Sequence, residues 1–576
     1  MASTTLLLGT AKALNFVLKD LYDGAKGEIK KKFSHWRSEK EINCLYRKIF
    51  DIRNVKTIWK IDKKINLTTF YYPSKLLIED NKVIVNGINK IKTDNNILIE
   101  GTVGQGKSIF MRYLCSQELV GGITLPVFFQ LRKMQQGETI LQNIFKVLNS
   151  WNFNIDEELF DYIAKKGRMV LLLDGFDELN DACIQPVINE LESLSEKYRD
   201  LKIIVSSRPK SGLENSPWFD VYKLAPLEAS DHYPFLMKLL KDVNEVEKIS
   251  IAIRESKSGI SQLLTTPLMM TLMVFVYQAE KTIPKQLSDF YENLFPLLFD
   301  RHDKSKPGYV RTRGCSLSQR DVQRVFEAFC YITAKAERLE FTHTQIHSYV
   351  ESALSTLILQ CDPNKLLSDI TKISCLIVED GLSYYFIHKS VQEYHAACFI
   401  KGRPDDFAVE FYRRMLDDRI YRIWSNVIAF LSEIDKYRYS NYLLIPEIDL
   451  AFKDIGLYQT EVDSINKDVV ERVMKDVSGT VSETHFFESI MLGLISSRLV
   501  TSFKVSLMFT LNNLLIDRKF VQAKRTSYEF VQVVEEYGLW DRITSEFKKC
   551  FITLKDEKDR ALVFLKSEKD MSSILP

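Results

Sequence analysis

Eight residues between a strand and a helix decide much about the architecture of this chain. Gly101, Thr102, Val103, Gly104, Gln105, Gly106, Lys107 and Ser108 follow the apolar run Asn96-Ile97-Leu98-Ile99-Glu100. They precede Ile109-Phe110-Met111-Arg112-Tyr113-Leu114, which opens a helix. The pattern G-x-x-x-x-G-K-[ST] in that setting is a phosphate-binding loop. Its glycines let backbone N–H groups close around the α- and β-phosphates of a nucleotide. The helix that follows turns its positive dipole end toward the same anions. Lys107 can then reach the β- and γ-phosphates, and the Ser108 hydroxyl is placed to ligate Mg²⁺.

The rest of the chain must supply the sheet that this loop requires. From 96 to about 225 apolar strands alternate with helical stretches, which predicts a parallel α/β sheet. Leu125-Pro126-Val127-Phe128-Phe129 reads as the second strand, Met169 to Asp174 as the third, and Lys202 to Arg208 as the fourth. Val170-Leu171-Leu172-Leu173 is apolar throughout, as in a strand covered on both faces. Ligands of such sheets bind at the carboxyl ends of the strands, which places Gly101, Asp174 and Arg208 on one edge.

Asp174-Gly175-Phe176-Asp177-Glu178 closes the third strand. Asp174 is the candidate to hold Mg²⁺ or its waters beside Ser108. Asp177 and Glu178 are candidates to orient or deprotonate an attacking water. Arg208, within Ser206-Ser207-Arg208-Pro209, could read the γ-phosphate and report its loss.

Outside this sheet the pattern is mostly helical. Residues 1–65 are expected to form a small, basic helical domain, with Lys30-Lys31-Lys32, Arg37, Lys40, Arg47 and Lys48 among apolar and aromatic residues. Lys12 and Lys19 interrupt Met1 to Leu21 at helical intervals, which predicts an amphipathic helix and not a leader peptide. Residues 66–95 read as a linker, 226–310 as helical, 311–410 as mixed, and 411–576 as mainly helical. Within 311–410, Cys375 to Glu379 and Ser383 to Ile387 predict a hairpin around Asp380-Gly381, followed by a helix from about Ser390, as in a winged helix. Arg301-His302-Asp303 lacks the order of a kinase catalytic loop and is expected at a loop or helix end.

At 576 residues the chain should hold three or four domains of ~150 residues each. A net charge of +2 implies no general steering toward nucleic acid or membrane. The nine cysteines include no C-x-x-C pair, which disfavours a zinc site or disulfide framework and suits a reducing cytoplasm. No apolar run is long enough to span a bilayer; the best, Leu268 to Tyr277, is expected to be a buried helix. No repeat of fixed period marks a solenoid.

Together, Gly101–Ser108, the run from Leu171 to Leu179 and Ser206-Ser207-Arg208-Pro209 resemble the NACHT domain of STAND-type ATPases, the switches of NOD-like immune receptors and their bacterial relatives. The resemblance covers roughly residues 70–400. It implies a P-loop NTPase sheet followed by helical and winged-helix domains, flanked here by small helical N- and C-terminal domains. It implies that Pro267, in Leu264-Thr265-Thr266-Pro267-Leu268, packs by the adenine. It also implies that His388, in Phe386-Ile387-His388-Lys389-Ser390-Val391-Gln392-Glu393-Tyr394, contacts the diphosphate in the inactive state. ATP or ADP with Mg²⁺ would be the cofactors, hydrolysis would be slow, and activation would be self-association into an oligomer.

The short ends look like those of compact bacterial NACHT proteins tied to antiphage defence, with a phage or host trigger unnamed by the sequence. Residues 411–576 would be the sensor by position and 1–65 the output element. A motor of the AAA type would need a pore loop, and none is evident. A transcription regulator would need a basic recognition helix. Ser390 to Cys398 instead carries one acid and mostly small or apolar residues, so nucleic acid is disfavoured as a partner.

Overall fold

Seven strands form the central sheet, in the order β4-β3-β9-β5-β8-β7-β6. They are β3 (Lys75–Ile78), β4 (Asn81–Ile84), β5 (Asn96–Glu100), β6 (Leu125–Gln130), β7 (Met169–Asp174), β8 (Lys202–Ser207) and β9 (Phe219–Leu224); a separate hairpin, β1 (Asn54–Thr57) and β2 (Lys60–Asn66), precedes them. This computed structural model describes residues 14–34, 39–79, 81–256, 260–304, 315–371, 376–380, 383–481, 489–491, 498–516 and 526–572. The strands from β9 to β6 run parallel. β3 and β4 are antiparallel at one edge. β5 and β7 are buried at every position, because helices cover both faces and leave no side for polar residues. Those helices include α4 (Lys107–Gly121), α5 (Ile140–Ser150), α6 (Glu157–Lys165) and α7 (Asp181–Lys197). Thr139, Asp156 and Asn180 each accept a backbone N–H at the start of α5, α6 and α7, which fixes where the connecting loops end.

Two expectations for the N-terminal part need correction. Residues 66–95, expected as a linker, contain β3 and β4. Each strand is only four residues long, and among their described positions only Leu76 is buried, so neither shows the apolar run that marks the central strands. Residues 1–65, expected as an all-helical domain, end in the β1–β2 hairpin, whose Lys-rich second strand has little apolar alternation. The preceding helices, α1 (residues 14–24), α2 (Gly27–Ser34) and α3 (Glu39–Phe50), do not form a core of their own. Leu14, Val17, Leu21, Leu45, Tyr46 and Ile49 belong to the same buried cluster as the sheet. Residues 1–13, including Lys12, lie outside the described residues.

After β9 come α8 (Ala229–Leu240), α9 (Val243–Glu255), α10 (Ile260–Leu263), α11 (Pro267–Glu280) and α12 (Leu287–Lys304). α11 carries the long apolar run, and Met269 to Tyr277 are all buried. Arg301-His302-Asp303 fall in the last turn of α12; their side chains and Lys306-Pro307-Gly308 lie outside the described residues.

Next follow α13 (Gln319–Lys335), β10 (Glu340–Thr342), α14 (His343–Leu357), α15 (Pro363–Asp369), β11 (Ile377–Asp380) and β12 (Ser383–Phe386). β10, β12 and β11 form an antiparallel sheet in that order. Cys375 and Gly381, expected at the start and turn of the hairpin, lie outside the described residues.

The chain divides into two compact units, one of residues 1–326 and 338–391, the other of 327–337 and 392–576. The division falls inside α16 (Lys389–Lys401), and not at 410 as expected. From Gln392 onward this helix bonds within the second unit. The Gln392 amide donates to Thr333 Oγ1 at 2.9 Å, and Asn426 donates to Glu393 at 2.7 Å. Phe399 stacks on Tyr331. The second unit has its own core, from Ile448 to Phe551. Among the described residues, no helix is long and apolar enough to cross a membrane.

Candidate nucleotide site

The loop after β5 is held open by its own side chains. Gly101 N–H donates to Ser207 O at 3.2 Å, which ties the loop to the end of β8. Gln105 Oε1 accepts from Thr102 N at 2.6 Å, while its amide nitrogen donates to Leu224 O at 3.3 Å. Lys107 Nζ donates to Gly101 O at 2.9 Å, so the ammonium lies across the mouth of the loop. Gly104 has φ +76°, and a Cβ there would stand 2.8 Å from Leu268 Cβ. Both facts require glycine. Leu268 N–H also donates to Gly104 O at 3.3 Å. The start of α11 therefore rests directly on the phosphate loop. Pro267 takes its first helical position, and Thr266 caps it by accepting from Met269 N.

Asp174 meets Ser108 through a residue that the sequence reading passed over. Because β8 lies between β5 and β7, its Ser206 stands beside the aspartate. Ser206 Oγ donates to Asp174 Oδ1 at 2.7 Å and accepts Gly175 N–H at 2.9 Å. Ser108 Oγ donates to the same Oδ1 at 3.1 Å. Asp174 is 2% exposed. A hydroxyl and a carboxylate converging at a phosphate loop are the oxygen donors that Mg²⁺ prefers. These residues fit that ion.

The two acidic residues after Asp174 part company. Gly175, at φ +79°, would place a Cβ 2.6 Å from Glu178 Cδ. Glu178 thus folds back over the glycine, and it lines the cavity described below. Its Oε2 is 3.7 Å from Arg132 Nε. Asp177 turns instead to Arg208. It accepts the Arg208 N–H at 3.1 Å and pairs with Arg208 Nε at 2.9 Å. The face of that guanidinium lies 3.2 Å from the ring centroid of Tyr385 in β12.

A cavity of about 1000 Å³ opens from the loop. Thr102 to Ser108, Asp174 and Glu178 line its phosphate end. Trp59, Tyr71 and Tyr72 come from the N-terminal part, Pro267 and Leu268 from α11, and Val378 and Glu379 from β11. Trp59 lies flat against Phe275 of α11, with centroids 5.4 Å apart. Aromatic and apolar walls with a cationic end suit a base joined to phosphates. Arg112 and Arg132 also line it. Burial pulls the Arg112 guanidinium below its usual range, and the Asp174 charge opposes that shift. Sequence reasoning missed Arg132, although it follows the end of β6 and the strand-end rule reaches it. Trp59 and Tyr71 carried no comparable signal, since their segments read as a helical domain and a linker.

Arg208, Asp177 and His388 do not line this cavity. His388 was expected at a diphosphate. Its Nδ1 accepts Ser390 N–H at 3.2 Å and pairs with Ser390 Oγ. Ser390 Oγ in turn pairs with the Tyr291 hydroxyl. The ring is engaged by the first turn of α16, and its proton in the neutral form sits on Nε2.

Residues 95–242 match the NACHT domain family. This segment is a NACHT domain. No curated protein matches the chain. Among solved structures, the chain is similar to a signal transduction ATPase with numerous domains, a STAND protein with a tetratricopeptide repeat sensor, from Pyrococcus horikoshii. The identity is 11% over 82% of this chain and 62% of that one, with a TM-score of 0.24. It is also similar to RuvB of Thermotoga maritima, at 13% identity over 51% of this chain and 85% of that one, with a TM-score of 0.24. Drosophila ORC bound to DNA matches at 14% identity over 53% and 83%, with a TM-score of 0.26. At such scores these likenesses say nothing of function. The NACHT segment begins just before β5 and ends after α8. The hairpin, Tyr71, Tyr72, α11 and β11 that complete the cavity all lie outside it.

Proposed function

We propose that this chain is a nucleotide-gated switch whose NACHT domain binds ATP or ADP with Mg²⁺ and hydrolyses ATP slowly. ADP would hold the resting monomer, and exchange for ATP would let copies assemble. The observation that carries this reading is the shared cavity. Its walls come from the phosphate loop, the start of α11 and strand β11 of the three-stranded sheet. A ligand in such a cavity touches elements far apart in sequence, so its loss or exchange changes what holds them together.

The energetics are adequate. Moving a population from 1:99 to 99:1 requires about 5.5 kcal/mol of differential affinity. Charge-assisted hydrogen bonds supply ~1.5–3 kcal/mol each, so a few phosphate contacts suffice. The order of α14, α15, β11 and β12 supports the winged-helix reading of this region, with His388 as a diphosphate contact in the resting state. Within the site, Ser108 and Asp174 would hold the metal, which would shield phosphate charge. Lys107 would bind the β- and γ-phosphates, and Glu178 would orient water. The resemblance to compact bacterial NACHT proteins suggests phage defence as the setting, with turnover below the ~10 s⁻¹ typical of enzymes.

The test is a nucleotide titration coupled to a mass measurement. The parent should bind ADP as a monomer and grow in mass with a non-hydrolysable ATP analogue and trigger. Lys107→Ala should lose about 10- to 100-fold in affinity, the worth of one charge-assisted contact. Unchanged affinity in that variant, or a parent that takes up no adenine nucleotide, would sink the reading.

A further inference from the structure

Arg208 is held by two partners, one at its Nε edge and one on its face. Asp177 engages its backbone N–H and its Nε, and the Tyr385 ring covers its guanidinium face. Arg208 itself ends β8 beside Ser206 and Ser207, whose oxygens bond to Asp174 and to Gly101 N–H. It therefore stands at the phosphate edge of the sheet, with its guanidinium occupied.

Tyr385 is fixed in its turn. Its hydroxyl donates to Glu340 Oε1 at 2.6 Å, across the β10–β12 pairing. On its other side it is the register partner of Val378 in β11. Val378 and its neighbour Glu379 line the nucleotide cavity. One small sheet thus does two things: it walls the cavity and it stacks on the arginine. Held on that ring, with its Nε on Asp177, Arg208 does not line the cavity, so it would have to move to bring its in-plane donors to a terminal phosphate.

We propose that Tyr385 is a positioning residue that sets how the site tells a triphosphate from a diphosphate, by holding Arg208 against β12. With a diphosphate bound, the stack stays. A γ-phosphate draws the arginine off the ring, and β12 loses that hold on the NACHT domain. Asp177 then belongs to the same device, as the carboxylate that keeps Arg208 in place, while Glu178 faces the cavity. This inference rests on the nucleotide reading above.

The experiment is a pair of affinity titrations, ADP and a non-hydrolysable ATP analogue, on the full chain. Tyr385→Ala should tighten the ATP analogue relative to ADP by between about two- and thirty-fold, the span of a cation–π contact. Unchanged ADP affinity in that variant reports an intact fold. Tyr385→Phe keeps the ring and should hold the parent ratio. In an Arg208→Ala background, Tyr385→Ala should leave the ratio alone. An unmoved ratio in Tyr385→Ala overturns the proposal. So does a shift of equal size without Arg208, or a Phe variant that behaves like Ala. A parent that binds neither nucleotide overturns the nucleotide reading instead, so the two failures are distinguishable.

Discussion

The phosphate edge of the sheet and the core of the second unit use buried charge in different ways. At the sheet edge, Asp174 is buried among hydroxyls and beside a loop of backbone N–H groups. Its neighbour Glu178 lines an open cavity. In the second unit, buried Glu447 pairs with Arg498, whose guanidinium lies 3.3 Å from the Tyr421 ring centroid. There, charge meets charge and an aromatic face. The first arrangement leaves acceptors turned to a cavity, and the second uses them within the protein. Burial alone therefore does not mark a functional group; what matters is whether the group lines space that a ligand can fill.

The largest effect should come from the carboxylate that faces the cavity. Glu178→Gln keeps shape and removes the base, so ATP hydrolysis should fall by about 10²- to 10⁴-fold. Nucleotide affinity should stay within a few-fold, because Lys107 and the loop remain. Phosphate release and a binding titration read the two quantities separately. Equal losses in both would mean that Glu178 supports the loop, and the contrast between the two regions would blur.

In the second unit the corresponding change should cost stability. Arg498→Ala leaves Glu447 buried without its partner, and removing one member of such a pair costs about 3 kcal/mol. The pair sits between the helix Ile445–Asp454 and the helix Arg498–Ile516. Calorimetry should show the loss as a lower unfolding temperature. A variant as stable as the parent would show that Arg498 is solvated in practice, and that this pair does not organise the unit.

How far the sequence discloses these regions follows the same physics. Gly101–Ser108, Asp174 and the parallel strands were legible because one chemistry demands them at strand ends in a set order. Asp177 and Glu178 looked alike in sequence. Only the backbone turn at Gly175 sends one to the cavity and the other to Arg208. Ser206 was invisible as a partner, since the strand order that sets β8 between β5 and β7 is a property of the folded sheet. β3 and β4 were missed because short edge strands carry no continuous apolar run. In the second unit the sequence offered amphipathic helices and nothing more, since helical periodicity reports burial and not what a helix is for.

The smallest expected effect tests whether every buried charge near the cavity is chemical. Asp231 in α8 accepts from Lys75 Nζ at 2.6 Å, from the Tyr72 hydroxyl at 2.7 Å and from Glu228 N–H at 3.0 Å. It ties β3 and a cavity tyrosine to α8, yet it does not line the cavity. Burial pushes its carboxyl up, but the Lys75 ammonium, the Tyr72 hydroxyl and the Glu228 N–H outweigh burial and hold it below its ordinary value of 3.8. A depressed carboxyl stabilises the fold above its unfolded value and loses that stability as pH falls through the folded one. The parent should therefore keep this contribution at neutral pH and shed it only below about pH 4. Asp231→Asn should be less stable by about 1–2 kcal/mol at pH 7, the worth of hydrogen bonds to a charged acceptor. It should also lose less on acidification, because the titrating group is gone. Thermal unfolding of both proteins between pH 7 and pH 3 would read the two slopes. Parallel slopes would show that Asp231 has no depressed titration. A large fall in nucleotide affinity at unchanged stability would move it into the chemistry of the cavity.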